Sequence, residues 1–593
     1  MKPLPTPPNQ SDIRNLILAA VLSCGLLFVY QVFYAGPQEA AQRAAFQAQQ
    51  ERAKVAESDV ILPSASHVQQ RADVVSKLPR KELLQQFPRV KISSPTVHGS
   101  LNLKGLRFDD LTLARHRVRL EEDSPEVTLL SPAQAADRYF LQLGWLSAGH
   151  NTVVPDDEAV WQADSDTLTP EQPVTLHWKN PQGVEFLVHL ALDENYLFTV
   201  KQEVHNNSAK PVAVAPYGLI NQTLPHEDTN FNAIIHRGPI GVLDGATLTE
   251  TAYKDLESDG VETFKDARGW LGIADKYWLT AFVPEKGKNF VANFQPVAGK
   301  GGASRVQVDY LAPVQDVAAG ATVAYGTHIF AGAKELSVLE HYKETLNVPL
   351  FDRALDFGIL YFLTKPIFMA LDYFYHLLGN FGLAILSFVV VLKIALFPLS
   401  NKSYRSMAQM RALQPELDKL KKNYGDDKLK MQQEMMALWQ REKVNPVSGC
   451  LPMLIQIPIF FALYKVLMVT IEMRHAPFYG WVKDLSGADP SNIFTLFGLI
   501  PWDAPAMLHI GVWPIIMCVT MVLQQKLNPK PSDPIQAKVI SFLPYIFLVL
   551  FATFPAGLLI YWAWNNVLSI IQQALILRNF ERHKRKRGKA VAA

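Results

Sequence analysis

A lysine, Lys393, stands inside NFGLAILSFVVVLKIALFPL (380–399), a run with no other charged residue. An ammonium in such a run costs about 2.5–3.5 kcal/mol on insertion scales, so it usually faces a protein interior or a watery cavity, where it attracts acidic groups. At ~1.5 Å per helical residue it lies about 9 Å from the end of the run at Leu399, close enough for the side chain to snorkel to the interface instead. Charge and depth leave both readings open. Further polar groups interrupt later apolar runs: Gln456, then Asn565, Asn566, Gln572 and Gln573. Interhelical hydrogen bonds of around 1 kcal/mol would account for them, and so would a hydrated cavity. Lys465, near the far end of its run, is expected to snorkel.

No other chemistry is signalled. The chain has no GxSxG, no HExxH, no phosphate-binding loop ending in GK[ST] and no pair of CxxC motifs. Cys24, Cys450 and Cys518 all sit in apolar runs, which argues for buried thiols and against a disulfide framework or thiolate metal site. The reading is therefore not an enzyme, with no cofactor and no metal.

The elements that carry these residues follow from how the apolar content is spread. The chain has 593 residues, 49% hydrophobic and 19% charged, too long for one core. An apolar run at 16–34, preceded by Lys2 and Arg14, exceeds a signal-peptide core and is long enough to span the ~30 Å hydrocarbon layer. It predicts an uncleaved anchor (1–35), followed by a polar linker (36–59). Residues 60–345 alternate in short runs, at 97–106, 173–178, 186–192, 196–204 and 306–311, punctuated by Asn180-Pro181, Asn206-Asn207 and Asp244-Gly245. That texture predicts a large all-β sandwich.

Residues 346–378 carry apolar residues at helical spacing (Leu355, Ile359, Phe362, Leu363, Phe368, Leu371) among charges. This suits an amphipathic helix on the membrane surface, or one packed on the sandwich. The second span is expected at 379–399, the third at 450–469 and the fourth around 510–523. Residues 538–576 are too long for one span and break at Phe554-Pro555-Ala556-Gly557 into a fifth and sixth. A helical hairpin is expected at 400–447. Leu413, Leu417, Leu420 and Tyr424 on one helix face Met431, Met435, Leu438 and Trp439 on the next; the methionine stripe is either the seam or a surface for apolar partners.

Loop charge sets the orientation. Ser400 to Val447 contains ten Lys and Arg residues, the loop 470–509 only Arg474 and Lys483, and the tail 577–593 reads RNFERHKRKR from Arg578. By the positive-inside rule both termini and the lysine-rich loops are cytoplasmic and the sandwich is periplasmic. The basic tail is a topology signal or a site for anionic lipid or RNA.

Several segments then resemble the YidC family of membrane protein insertases: NPVSGCLPMLIQIPIFFALY (445–464), GWLGIADKYW (269–278), FAGAKEL (330–336), DFGILYFLTKP (356–366), LQP (413–415), FPAG (554–557) and Gln572-Gln573. The resemblance spans nearly the whole chain. It implies a multi-domain membrane protein: an amino-terminal anchor, a periplasmic β-super-sandwich similar to sugar mutarotases, and a five-span α-helical core with a cytoplasmic hairpin. It also implies a hydrophilic groove open to cytoplasm and lipid, faced by a positive residue of the second span. Lys393 matches that position, keeping the charge without the planar donor fork of arginine. Substrates are implied to slide along the third and sixth spans, here Gln456, Ile457, Pro458 and Phe460 facing Tyr561 and Trp562. The implied function is to insert, fold and assemble newly made inner-membrane proteins. The implied partners are nascent membrane proteins, the Sec translocon, membrane lipids and, through the basic tail and loops, the ribosome.

Two other classes remain in view. A solute transporter would show internal repeats with broken helices at corresponding positions, which the five core runs lack. A sugar-modifying enzyme would need histidines and carboxylates gathered at a cleft, and a fold likeness alone grants no activity.

Overall fold

Strand alternation builds the first half of the molecule. Along Val184–Leu192 every second side chain turns inward, and the strand pairs antiparallel with Leu197–Asn206, which pairs in turn with Thr322–Ala333. This computed structural model describes residues 78–121, 123–149, 152–224, 235–297, 304–424, 427–442, 451–500, 502, 509–528 and 534–591. The expected anchor and linker lie outside the described residues. Among those described, the strands form an eleven-stranded and a nine-stranded sheet. Their inner faces interlock through aromatic pairs: Phe108 with Phe198, Trp145 with Phe186, and Phe282 with Tyr310, at centroid distances of 5.3, 5.1 and 5.2 Å. Edge-to-face packing of this kind adds to the area buried and needs no disulfide. Two short helices, α1 (Arg80–Leu83) and α2 (Tyr253–Asp259), decorate the sandwich.

The chain leaves the sandwich along Thr322–Ala333, where Gly332 lies flat against Tyr196; a Cβ there would sit 2.1 Å from the ring. Helix α3 (Leu336–Thr345) and a 3-10 turn at Phe351–Ala354 follow. Trp270 donates its indole N–H to the Pro349 carbonyl at 3.0 Å and stacks edge-on against Phe351. One apolar core thus continues from the sandwich through Phe330, Phe351, Leu355 and Phe357 into the helices at Ile367, Leu371 and Leu463.

Helix α4 begins only at Tyr361 and ends at Leu378. Gly358, at φ +68°, turns the chain before it, so the expected stripe does not form one face. Leu355 is buried ahead of the helix, and Ile359 and Phe362 face outward. The buried face is Thr364, Ile367, Phe368 and Leu371; the opposite face exposes Phe362, Met369, Tyr373 and Leu377. Helix α5 (Phe381–Ala395) is capped by Asn380, whose side chain accepts the Leu383 N–H, and it stops well short of Leu399. Pro398 has no N–H to give the Ile394 carbonyl, and its ring would clash with the turn before it. The chain therefore bends by 70° into α6 (Phe397–Ala412), which puts Lys393 in the last turn of α5.

Helices α7 (Gln414–Tyr424) and α8 (Lys428–Arg441) close on Leu417, Met435 and Leu438, with Leu420 and Trp439 beside them. The Asp427 side chain caps α8 by accepting the Lys430 N–H. Met435 belongs to the hairpin's own seam. The remaining helices are α9 (Leu451–Val469), α10 (Val512–Leu527), α11 (Pro534–Leu550) and α12 (Ala556–Val591). Among the described residues no single helix is long and apolar enough to cross a membrane; the bent pair α5–α6 meets that measure only together.

Candidate functional site

Tyr561, Asn565, Ser569 and Gln573 recur every fourth residue along α12, so they share one helix face. All four are buried. A polar stripe of this kind inside an apolar bundle needs partners, and neighbouring helices supply some of them. Gln456 of α9 donates to the Tyr561 hydroxyl. Lys393 of α5 donates from Nζ to Ser569 Oγ at 2.8 Å, and that hydroxyl donates to the Asn565 carbonyl at 2.7 Å. Tyr404 of α6 is buried against the same serine. Gln573 donates to the Leu527 carbonyl and to Asn528 Oδ1, at 3.2 and 3.1 Å.

Hydrogen-bonding capacity is left over. Asn565 Oδ1, Gln573 Oε1 and Gln572 Nε2 are buried with no partner among the described residues. Lys393 has no carboxylate within ion-pair distance among them, and its ammonium is held by a neutral hydroxyl. A half-buried cation so placed can still attract a negative group.

The other expected site residues fall into two sets. Ile457 and Pro458 point outward from α9, with Phe461 beside them. Phe460 and Trp562 pack edge-to-face at 4.8 Å, and Phe551, in the turn after α11, lies 5.2 Å from Trp562. Tyr561 lies beneath them, out of contact with solvent. The bundle therefore brings Gln456, Phe460, Tyr561 and Trp562 together, while Lys393 meets α12 two turns further on, about 12 Å along the axis at ~1.5 Å per residue.

Asn566 makes its own interhelical bond, to Thr520 Oγ1 at 3.2 Å. Sequence reasoning missed Ser569 and Tyr404; the four-residue repeat through 561–573 was the signal that could have found the serine. Lys465 does not snorkel: its ammonium lies 2.8 Å from Asp356.

Residues 89–370 match the family model described as YidC periplasmic domain, and residues 373–584 the one described as 60Kd inner membrane protein. A protein of Rickettsia bellii (strain OSU 85-389) called membrane protein insertase YidC is 48% identical over 574 residues, 95% of this chain and 99% of that one. Its namesake in Rickettsia conorii (strain ATCC VR-613 / Malish 7) is 47% identical over 568 residues, with the same coverage of 95% and 99%. A crystal structure of an active YidC insertase with its first transmembrane domain resolved aligns over 82% of this chain and 92% of its own, at 17% identity and TM-score 0.34.

Proposed function

The chain belongs to the YidC family of membrane protein insertases, and from that premise we propose how its own residues carry out insertion. It is an inner-membrane insertase with a periplasmic domain. The polar face of α12, with Lys393 and Gln456, lines a hydrated groove reached from the cytoplasm and from lipid. The observation that carries this reading is the buried stripe Tyr561, Asn565, Ser569 and Gln573 meeting a cation that lacks a carboxylate partner among the described residues.

A short polar tail entering that groove has less apolar path to cross. One carboxylate at the bilayer centre costs about 2.5–3.5 kcal/mol, whereas each Leu, Ile or Phe that follows contributes about 0.3–0.6 kcal/mol in favour. A span of some twenty such residues thus outweighs one acidic group, provided the barrier is lowered locally. Lys393 attracts the carboxylate in transit, and the apolar span exits past Ile457, Pro458, Phe460 and Trp562 into lipid. Tyr561 is buried below this path and orients Gln456.

The hairpin α7–α8, the basic tail and both termini are cytoplasmic on this account. Clients are nascent inner-membrane proteins, delivered with or without the Sec translocon and from ribosomes held by the basic tail and loops, and anionic lipids meet the same charges. The outward apolar face of α4 lies on the membrane surface.

Cross-linking tests the exit path. Single cysteines replacing Ile457, Trp562 or, as a lipid-facing control on α10, Val519 would be paired with a cysteine in a client span during insertion. The client should cross-link at 457 and 562 and not at 519; equal cross-linking at all three would contradict the path.

A further inference from the structure

Lys465 stands on α9 beyond Pro458, and its ammonium lies 2.8 Å from Asp356 Oδ2, each side chain only 14% exposed. The same oxygen accepts the backbone N–H of His236 at 2.9 Å. A sandwich loop, the chain entering α4 and a core helix therefore converge on one carboxylate. Gly358 leaves room for the lysine stem: a Cβ there would come 3.1 Å from Lys465 Cε.

The surroundings from the sandwich are charged as well. Lys334 is buried next to Asp275, Asp356 and Glu250, and Asp275 pairs with Arg237 at 2.7 Å. Two further contacts hold the same end of α9. The Leu336 N–H points to Glu472 Oε1 at 3.4 Å, and Arg474 donates to the Val118 carbonyl at 3.2 Å while lying over Trp278.

The other end of α9 carries Gln456 and Ile457. Between the ends, the helix runs on through Pro458 as one element, so the position of one end is carried to the other. Desolvation takes back most of what a buried ion pair gains in Coulomb energy, so stability is a poor reason for one here. An apolar pair of similar volume at 356 and 465 would pack as well. What the pair supplies is a fixed location.

We propose that Lys465 is a positioning residue for insertion: through Asp356 it locks one half of α9 to the sandwich and so holds Gln456 and Ile457 in register with α12. The proposal rests on the reading of α9 and α12 as the exit path.

The test uses the full chain in liposomes, reading insertion of a single-span client by protease protection and client cross-linking to a cysteine at position 457. Lys465→Met keeps the stem and removes the charge, whereas Lys465→Arg restores the charge. Trypsin resistance of the sandwich checks that each variant is folded. Insertion and cross-linking should both fall about tenfold in Lys465→Met, the scale expected when a buried partner is left unpaired, and recover to within about threefold in Lys465→Arg. A folded Lys465→Met that inserts like wild type would overturn the proposal, and so would folded Met and Arg variants equally impaired. If wild type inserts without cross-linking at 457, it is the exit path that fails, and the proposal falls with it.

Discussion

Lys393 is bound by a hydroxyl where an ion pair would have been the cheaper arrangement for a cation in an apolar bundle. A permanent carboxylate partner would have neutralised it; Ser569 orients it and leaves its charge available. Replacing Lys393 with alanine should therefore reduce insertion of clients with acidic tails about tenfold, the loss of roughly one charge-assisted hydrogen bond. Clients with neutral tails should change less than about twofold. Lys393→Arg should behave like wild type, because charge and not fork geometry is what the serine presents. Equal losses for both client classes, read by protease protection, would remove the electrostatic step.

At the scale of elements, the turn at Pro398 decides where that lysine sits. Pro398→Ala restores an N–H to the helix and should let α5 run on into α6. Spin labels at Val391 and Arg405 should then move apart, and insertion should fall with them; an unchanged label distance would mean that packing, not proline, makes the bend. This break was hidden in the sequence. A proline one residue from the end of an apolar run reads as its boundary, whereas Phe554-Pro555-Ala556-Gly557, in the middle of a long run, reads plainly as a break.

Strands such as Val184–Leu192 were legible because one face is buried, and burial writes itself into alternation. The hairpin seam was legible for the same reason, with period 3.6 instead of 2. The stripe on α12 was not, since Tyr, Asn, Ser and Gln share no single property that a periodicity count follows. Nor was the Lys465–Asp356 pair, whose members are 109 residues apart. Lysine near a helix end reads as snorkelling until the partner is known.

At the scale of the whole molecule, sandwich and helices share one apolar core and one buried charge cluster, so the periplasmic domain bears on the state of the core. Glu250 keeps part of its surface in solvent at the sandwich edge, but partial desolvation, reinforced by nearby Asp356, pushes its carboxyl up to about 7. A carboxyl raised on folding holds its proton more tightly in the native state, so its contribution to stability is present at low pH and is lost as pH rises from the ordinary glutamate range through about 7. Lys334, itself fully buried, is pushed down to about 8 and acts in a separate, higher window. In urea unfolding, Glu250→Gln should match wild type near pH 5 and become the more stable of the two near pH 8; a constant difference across that range would contradict the assignment.

The charged groove proposed above should suffice for the insertion of one short span. Purified protein in liposomes, synthesis of a small single-span client with an acidic tail, and protease protection of that tail test it most directly. Protection should stand well above empty vesicles with wild type and be about tenfold less with Lys393→Ala. Protection by wild type no better than empty vesicles would contradict it.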